Sequence, residues 1–558
     1  MRYIKEVLKK NRIWVLVYIG LGIFNSFMAN YKADYFQKVI DGLADRTLAV
    51  SGIAVYGGIL VVNYCMNYLE QYPEKKLEHV IYLDFKLLSL QKISTIDYTE
   101  YQKIGTGKLV QRIENGSSAG RNVLFDFWLC LIRELIPTIA FSVYFIWKID
   151  KKITYALLVG YAVIFIITNI LLKFLYQIKE KILNSEELLN HYLVRGFMEM
   201  LVFRMNKQFP NEIKKTHKAK EDIVTSKVKM NMIHEAFFTI FALLDVGILI
   251  YAWKSKNLTV GSIVALITLI ENAYTPIAIF NVLYVQYKLD KETYVRFEEF
   301  LNVKDDGQLT KGNVIHDGIG EITIKNLSFQ YEDRLILDNL SLSIQKGEKI
   351  AFVGASGSGK STLIKILLGL LKYNKGHIRL GEMELSDICL NDLYDKVSYI
   401  SQDAPVFDGT IQENLVFEKK VSKEQMLKAL SEVQLSYLAG NLKEGFNTEI
   451  GEKGTCLSGG EKQRLALARL WFQNAELVVL DEATSAMDNL TEENVMKAVM
   501  HKLQEKTVIA IAHRLSSIAD FDRIILFRDG QIVGQGSFEE LMRTNTYFME
   551  LYHASMQS

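Results

Sequence analysis

The chain has 558 residues, 49% of them hydrophobic and 23% charged, with a net charge of +1. It is too long for one domain, and so even a charge balance excludes a nucleic-acid-binding function driven by basic surface. Cys65, Cys130, Cys389 and Cys456 lack metal-ligand spacing and are read as reduced thiols, which excludes a zinc module or a disulfide scaffold.

From the N-terminus, apolar stretches run over roughly 13–33, 52–72, 123–147, 153–176, 234–254 and 259–285. Each approaches the ~20 apolar residues that carry a helix across a ~30 Å hydrocarbon core. The expected fold class is therefore a multidomain membrane protein. An all-α, six-helix transmembrane domain with cytoplasmic extensions covers 1–305, a linker 306–317 and a soluble α/β domain 318–558. Six spans return both ends to one side of the bilayer. Lysine and arginine crowd the N-terminal stub (Arg2, Lys5, Lys9, Lys10, Arg12) and the segments between spans two and three and spans four and five. Basic loops stay inside, so the N-terminus and the C-terminal domain are expected in the cytoplasm, with a bacterial plasma (inner) membrane as the location. About 25 further helical residues reach ~37 Å beyond a span, and Gly105-Thr-Gly107 and Phe209-Pro210 supply turns at the far ends. Polar side chains inside spans are costly and often face a cavity. Asp245 and Glu271 are the most central charges and are the expected cargo contacts, favouring cationic or hydrogen-bonding cargo. Asn25, Asn30, Glu70 and Arg133 are further candidates, and pairing between helices is the competing account of them.

The C-terminal part carries the chemistry. Gly354, Ser356, Gly357, Ser358, Gly359, Lys360, Ser361 and Thr362 lie in a G-x-x-x-x-G-K-S-T run. Its amides cradle a triphosphate, Lys360 neutralises the terminal phosphates and the Ser361 hydroxyl ligates Mg²⁺. Many unrelated nucleotide hydrolases share such a loop. About a hundred residues on, Leu457-Ser458-Gly459-Gly460 opens a helix with a second set of free amides. One triphosphate does not need two cradles from one chain; a second subunit does. The buried-strand pattern Leu477–Leu480 ends in Asp481, placed to hold hydrated Mg²⁺, and Glu482, placed to polarise water as a general base. Val508–Ala512 leads to His513, which can bond the γ-phosphate; Gln402 offers an amide to Mg²⁺ or water; Tyr331 can stack on adenine. Each residue alone has a bland reading as a turn or surface group. Six of them in this order do not.

Residues 318–558 resemble the nucleotide-binding domain of ATP-binding cassette (ABC) transporters. The resemblance is carried by Tyr331, Gly354–Thr362 (Walker A), Gln402 (Q-loop), Leu457–Gln463 (signature), Leu477–Glu482 (Walker B and catalytic glutamate), Ser485–Asp488 (D-loop) and His513 (switch histidine). Six spans ahead of one cassette resemble an exporter-type half-transporter. The resemblance implies two cassettes clasping two ATP molecules with Mg²⁺, each between one Walker A and the opposed signature and D-loop Asp488. Segments at 97–109 and 196–206 are similar to coupling helices. Glu461 stands where many members have Gln, and Met487 where Leu is usual. The expected partner is a second half-transporter, a copy of this chain or a related one, in contact with membrane lipid. The expected cargo is an amphipathic small molecule, lipid or peptide, exported by alternating access. An importer of a chelate such as a siderophore, or an ATP-gated channel or regulator, remains open on the same residues.

Overall fold

The computed structural model describes residues 2–254, 258–332, 334–440, 444–451, 456–512 and 514–557. His513 and the side chain of Asp245 lie outside the described residues. The chain forms two units, Met1–Ser94 with Ile104–Val303, and Thr95–Lys103 with Lys304–Ser558.

The first unit is helical. Four of its described helical stretches are long and apolar enough to cross a membrane: Arg12–Ala44, Val50–Thr95, Gly107–Ile149 and Val260–Leu301. The expected spans 153–176 and 234–254 fall within helices Lys151–Met198 and Phe209–Lys254, where many side chains lie outside the described set. At ~1.5 Å per residue, the 46-residue helix Val50–Thr95 is ~69 Å long, about twice a hydrocarbon core. The polar ends of Lys151–Met198 and Phe209–Lys254 run side by side, bridged by Lys181–Asp222 at 3.0 Å and Lys227–Glu186 at 2.8 Å. Such exposed pairs contribute little stability. Their value is in keeping two polar helices in register.

Within the spans, polar side chains find one another. Asn30 bonds Ser142 at 2.7 Å, Thr138 bonds Ser26 at 3.0 Å, and Lys148 meets Asp34 at 2.9 Å. Around them Phe145, Ile146, Leu157, Leu266, Leu269, Ile270 and Ala273 make an apolar core. Helix Thr106–Arg121 continues through π-helical Asn122–Leu129 and Leu131–Leu135 into Ile136–Ile149. Pro137 has no N–H to return to the carbonyl four residues back, so the wide turns end where the α-ladder is already broken. Arg133 emerges from this stretch and pairs with Glu70, which also accepts from Asn25; its guanidinium reaches Tyr18 Oη at 3.0 Å and covers the Tyr18 ring at 4.5 Å. A Cβ at Gly22 would sit 2.0 Å from Arg133 Cγ, so only glycine lets the two helices close there. Pairing between helices is thus the observed state of Glu70 and Arg133. Glu271, by contrast, is exposed on Val260–Leu301.

The second unit is α/β. Strands β1 (Ile322–Tyr331), β2 (Arg334–Ile344), β4 (Lys375–Leu380) and β5 (Met383–Glu384) form an antiparallel sheet in the order β2-β1-β4-β5. Strands β3 (Lys349–Gly354), β6 (Val397–Ile400), β7 (Leu477–Asp481), β8 (Thr507–Ile511), β9 (Arg523–Arg528) and β10 (Gln531–Gly536) form the second, in the order β10-β9-β3-β8-β7-β6. This sheet is parallel except for β10. All five residues of β7 and of β8 are buried, as unbroken apolar runs in a parallel sheet covered on both faces should be. Ile322, Leu337, Phe352, Ile364, Ile525 and Phe527 fill the space between the sheets. A second cluster under the other face unites Val478, Leu480 and Ala510 with Leu430, Leu465 and Leu467 from the helical segments.

Residues 306–317 lie against this unit rather than running free as a linker. Gln308 Nε2 donates to the Leu385 carbonyl at 2.6 Å, Asn313 N to that of Asp387 at 2.7 Å, and Ile315 is buried. Gln308, Asn313 and Ile315 anchor it, while Thr310, Lys311, His316 and Asp317 stay exposed.

Breaking the intramembrane pair tests this reading of the first unit. Arg133→Ala leaves Glu70 buried without its cation and should cost about 3 kcal/mol, read as a lower unfolding midpoint in detergent. The double variant Glu70→Gln/Arg133→Met should regain most of it.

Candidate functional site

The parallel sheet delivers its residues to one edge. Ligands of open α/β sheets bind beyond the carboxyl ends of the strands, and β3, β6 and β7 end there in Gly354, Ile400 and Asp481. After β3 the chain turns through Gly354, Gly357 and Gly359 at φ 153°, 82° and 103° before helix Lys360–Leu367 begins. Gly359 is the N-cap, and left-handed backbone there lets the loop amides point inward. Lys360 is buried, with its ammonium donating to the carbonyls of Gly354 at 2.7 Å and Ala355 at 2.9 Å and lying 3.3 Å from Ser358 Oγ. Burial pulls its pKa below the ordinary lysine value, against the opposing pull of Glu482 and Asp481.

Ser361, first-turn neighbour of Lys360, places Oγ 3.5 Å from Asp481 Oδ1. Burial holds the Asp481 carboxyl above the usual carboxylate range, although the Tyr399 and Ser361 hydroxyls act the other way. A hydroxyl and a carboxylate facing one point are hard oxygen donors of the kind Mg²⁺ takes, with phosphate and water completing its shell. The donor set fits that ion. Glu482 follows at φ 50°, with its amide donating to the Ile511 carbonyl at 3.1 Å, and its carboxylate accepts a hydrogen bond from Gln402 Nε2. Five residues separated by up to about 120 positions thus meet: Lys360, Ser361, Gln402, Asp481 and Glu482. Tyr331, at the end of β1, is 37% exposed, which leaves ring surface open for stacking, and it lies edge-on to Phe329 at 4.9 Å.

The signature residues are organised by a different set of contacts. Ser458 is the N-cap of helix Gly459–Ala468 and accepts from Glu461 N, while Glu461 Oε2 accepts from Ser458 N at 2.7 Å, a complete capping box. Glu461 also accepts from the Tyr437 hydroxyl. Burial opposes ionisation of Glu461, but the bonds from Tyr437 and Ser458 outweigh it and keep its pKa below the ordinary value. The carboxylate that replaces the usual amide is therefore turned back on its own helix end. A Cβ on Gly460 would approach the Ala486 carbonyl to 2.9 Å, so the second signature glycine is required by the D-loop behind it as well as by any phosphate in front. Asp488 caps helix Asn489–Lys502 through Thr491 N at 2.9 Å.

Three residues that the sequence does not single out as site residues lie around these groups. Buried Gln463 donates to Ser485 Oγ at 3.0 Å and accepts from Ala486 N at 2.9 Å, with the Gln402 and Glu482 carbonyls at 3.4 and 3.5 Å. Arg514 bonds the Met487 carbonyl at 2.9 Å and Glu492 at 2.6 Å. Tyr399 donates to Asp481 Oδ2 at 3.1 Å. Only Gln463 lay inside a recognisable sequence run.

Known proteins bear on this geometry. A family model described as ABC transporter matches residues 337–485. The mitochondrial iron-sulfur clusters transporter atm1 of Aspergillus fumigatus is 36% identical over 310 residues, 54% of this chain and 42% of that protein. The chain thus spans less than half of that relative's length, and 52% of an uncharacterized ABC transporter ATP-binding protein of Bacillus subtilis that is 34% identical over 301 residues. The ATP-dependent lipid A-core flippase of Alcanivorax borkumensis is 25% identical over 96% of this chain and 93% of its own. A solved bacterial Atm1-family ABC exporter with ATP bound superposes with a TM-score of 0.78 at 21% identity, covering 98% of both chains, so the two share a fold.

Gly460→Ala is the sharpest probe of the signature end. The added methyl should push the D-loop away and lower ATP turnover by roughly 100-fold, the scale of an ångström misplacement. Binding of a fluorescent ATP analogue to the phosphate loop should be unaffected.

Proposed function

We propose that this chain, which belongs to the ABC transporter superfamily, is one half of an ATP-driven exporter that works as a dimer. The observation that carries the reading is the convergence of Ser361, Asp481, Glu482 and Gln402 at one sheet edge, while Ser458–Gly460 stand against the D-loop. A phosphate loop and a signature held on separate supports suit a nucleotide clasped between two copies. Because the chain carries both, a homodimer is sufficient; a related half-transporter would serve equally. The names of its relatives, with the helical unit, support an amphipathic small molecule or lipid as cargo.

In this reading Lys360 and the loop amides bind the triphosphate, and Tyr331 stacks on the adenine. When bound, Mg²⁺ neutralises charge on the transferring phosphoryl group; Ser361 and Asp481 are the residues that would hold it. Glu482 accepts the proton of the attacking water, and Gln402, bonded to that carboxylate, orients it. His513 is assigned to the γ-phosphate, and Asp488 and Ser458–Gly460 to the partner's nucleotide. Closure draws on the greater affinity of the closed dimer for ATP, since a ligand shifts an equilibrium only by its differential affinity.

Asp245 and Glu271 are the residues proposed to meet cargo. Glu70 and Arg133 are not, because each already neutralises the other. The basic residues between spans support a cytoplasmic N-terminus and cassette, and a bacterial inner membrane is the location we favour.

Glu482→Gln decides the central claim. The variant should bind ATP, lose turnover by about 100-fold or more and accumulate ATP-bound dimers on native mass spectrometry. Undiminished hydrolysis, or full hydrolysis by an isolated monomer, would overturn the reading. Lys360→Ala should instead lose nucleotide affinity. Cargo accumulation by inside-out rather than right-side-out vesicles would separate export from import. Cargo-stimulated turnover that is unchanged in Asp245→Asn and Glu271→Gln removes the cargo assignment.

A further inference from the structure

Tyr399 belongs to none of the motifs, yet it touches the carboxylate on which the site turns. It lies on β6, the outermost strand of the six-stranded sheet, in register with Val479 of β7, one step before the pair Ile400 and Leu480. Its hydroxyl donates to Asp481 Oδ2 at 3.1 Å, while Ser361 Oγ addresses Oδ1 at 3.5 Å. The two oxygens of one carboxylate are therefore divided between two partners on opposite sides. Asp481 is only 6% exposed, so no solvent would replace the tyrosine hydroxyl on Oδ2, and an ionised carboxylate with an oxygen left bare there is costly. The ring of Tyr399 packs on the apolar cluster between the sheets, which leaves the hydroxyl little freedom to swing away.

We infer that Tyr399 is a positioning residue, which holds the Asp481 carboxylate at the angle from which it addresses Mg²⁺ beside Ser361. The inference rests on the reading of Asp481 as the carboxylate for that ion. Partners behind a metal-binding carboxylate matter nearly as much as the carboxylate, and losing one costs about tenfold or more in metal affinity. A phenylalanine keeps the ring in the cluster and deletes only the donor. Serine or threonine there would be too short to reach Oδ2.

The test uses the full-length protein in nanodiscs and measures ATP binding by calorimetry with Mg²⁺ and with EDTA, alongside Mn²⁺ binding by electron paramagnetic resonance. Tyr399→Phe should weaken Mn²⁺ binding, and the Mg²⁺-dependent part of ATP affinity, by about tenfold. Metal-free ATP affinity should stay at its wild-type value, while the unfolding midpoint falls only by the amount that losing one buried hydrogen bond explains. Equal loss of metal-free and metal-dependent binding, or a lowered midpoint that accounts for the defect, would reduce Tyr399 to a packing role and overturn the inference. Asp481→Asn separates the two levels of the argument. If it abolishes the Mg²⁺ effect while Tyr399→Phe leaves that effect intact, the inference alone fails. If it too leaves the effect intact, the reading of Asp481 fails with it.

Discussion

The left-handed backbone at Glu482 is the constraint from which the site follows. Along a strand, successive side chains point to opposite faces, and β7 obeys this as far as Asp481. At φ 50° Glu482 then leaves the strand pattern, a conformation that costs a non-glycine residue on the order of 1 kcal/mol. The hydrogen bond from its amide to the Ile511 carbonyl offsets that cost, and the burial of all of β7 and β8 fixes the carbonyl in place. Two adjacent carboxylates are thereby sent to different work. Asp481 turns in toward Ser361 and Tyr399, and Glu482 turns out toward Gln402. Had the strand continued, their like charges would have shared neither role so cleanly.

The buried amide of Gln463 extends this order to the signature. It can donate twice and accept twice, and its contacts reach the D-loop and the carbonyls of Gln402 and Glu482. Helix Gly459–Ala468 is thus tied to the loops that surround the Glu482 carboxylate. With Gly460 seated on the Ala486 carbonyl, a displacement of the D-loop moves the signature too. The Ser458–Gly460 amides and the Glu482 carboxylate therefore stand on one hydrogen-bonded frame.

Local runs were legible in the sequence and distant pairings were not. The phosphate loop, the Asp481–Glu482 pair and the signature each write their chemistry within a few residues, because backbone amides and a strand tip suffice to make them. Tyr399 is silent, since its meaning is a bond to a carboxylate 82 positions away. Arg133 and Glu70 read as lesser cargo candidates or as a pair; the approach of two helices at Gly22, across a π-helical stretch that no periodicity announces, distinguishes them. Residues 306–317 read as a linker because composition does not announce that Gln308 and the Asn313 backbone bond carbonyls about 75 positions away.

The same logic explains the segment Thr95–Lys103, which by its contacts belongs to the second unit although both its flanks belong to the first. Asp97 N donates to the Lys304 carbonyl at 3.1 Å, Asp306 N to that of Thr95 at 2.8 Å, and Thr95 Oγ1 to Asp305 at 2.8 Å. Asp97 then caps the short helix Tyr98–Ile104 through Thr99 N at 2.9 Å, and Tyr98 packs on the same apolar cluster as Tyr399. Two backbone bonds, one side-chain bond and a half-buried ring make the excursion part of the second unit's own packing. The likeness of 97–109 to a coupling helix was legible in the sequence, whereas the bonds with residues 304–306 that seat its start were not, because they join positions about 210 apart.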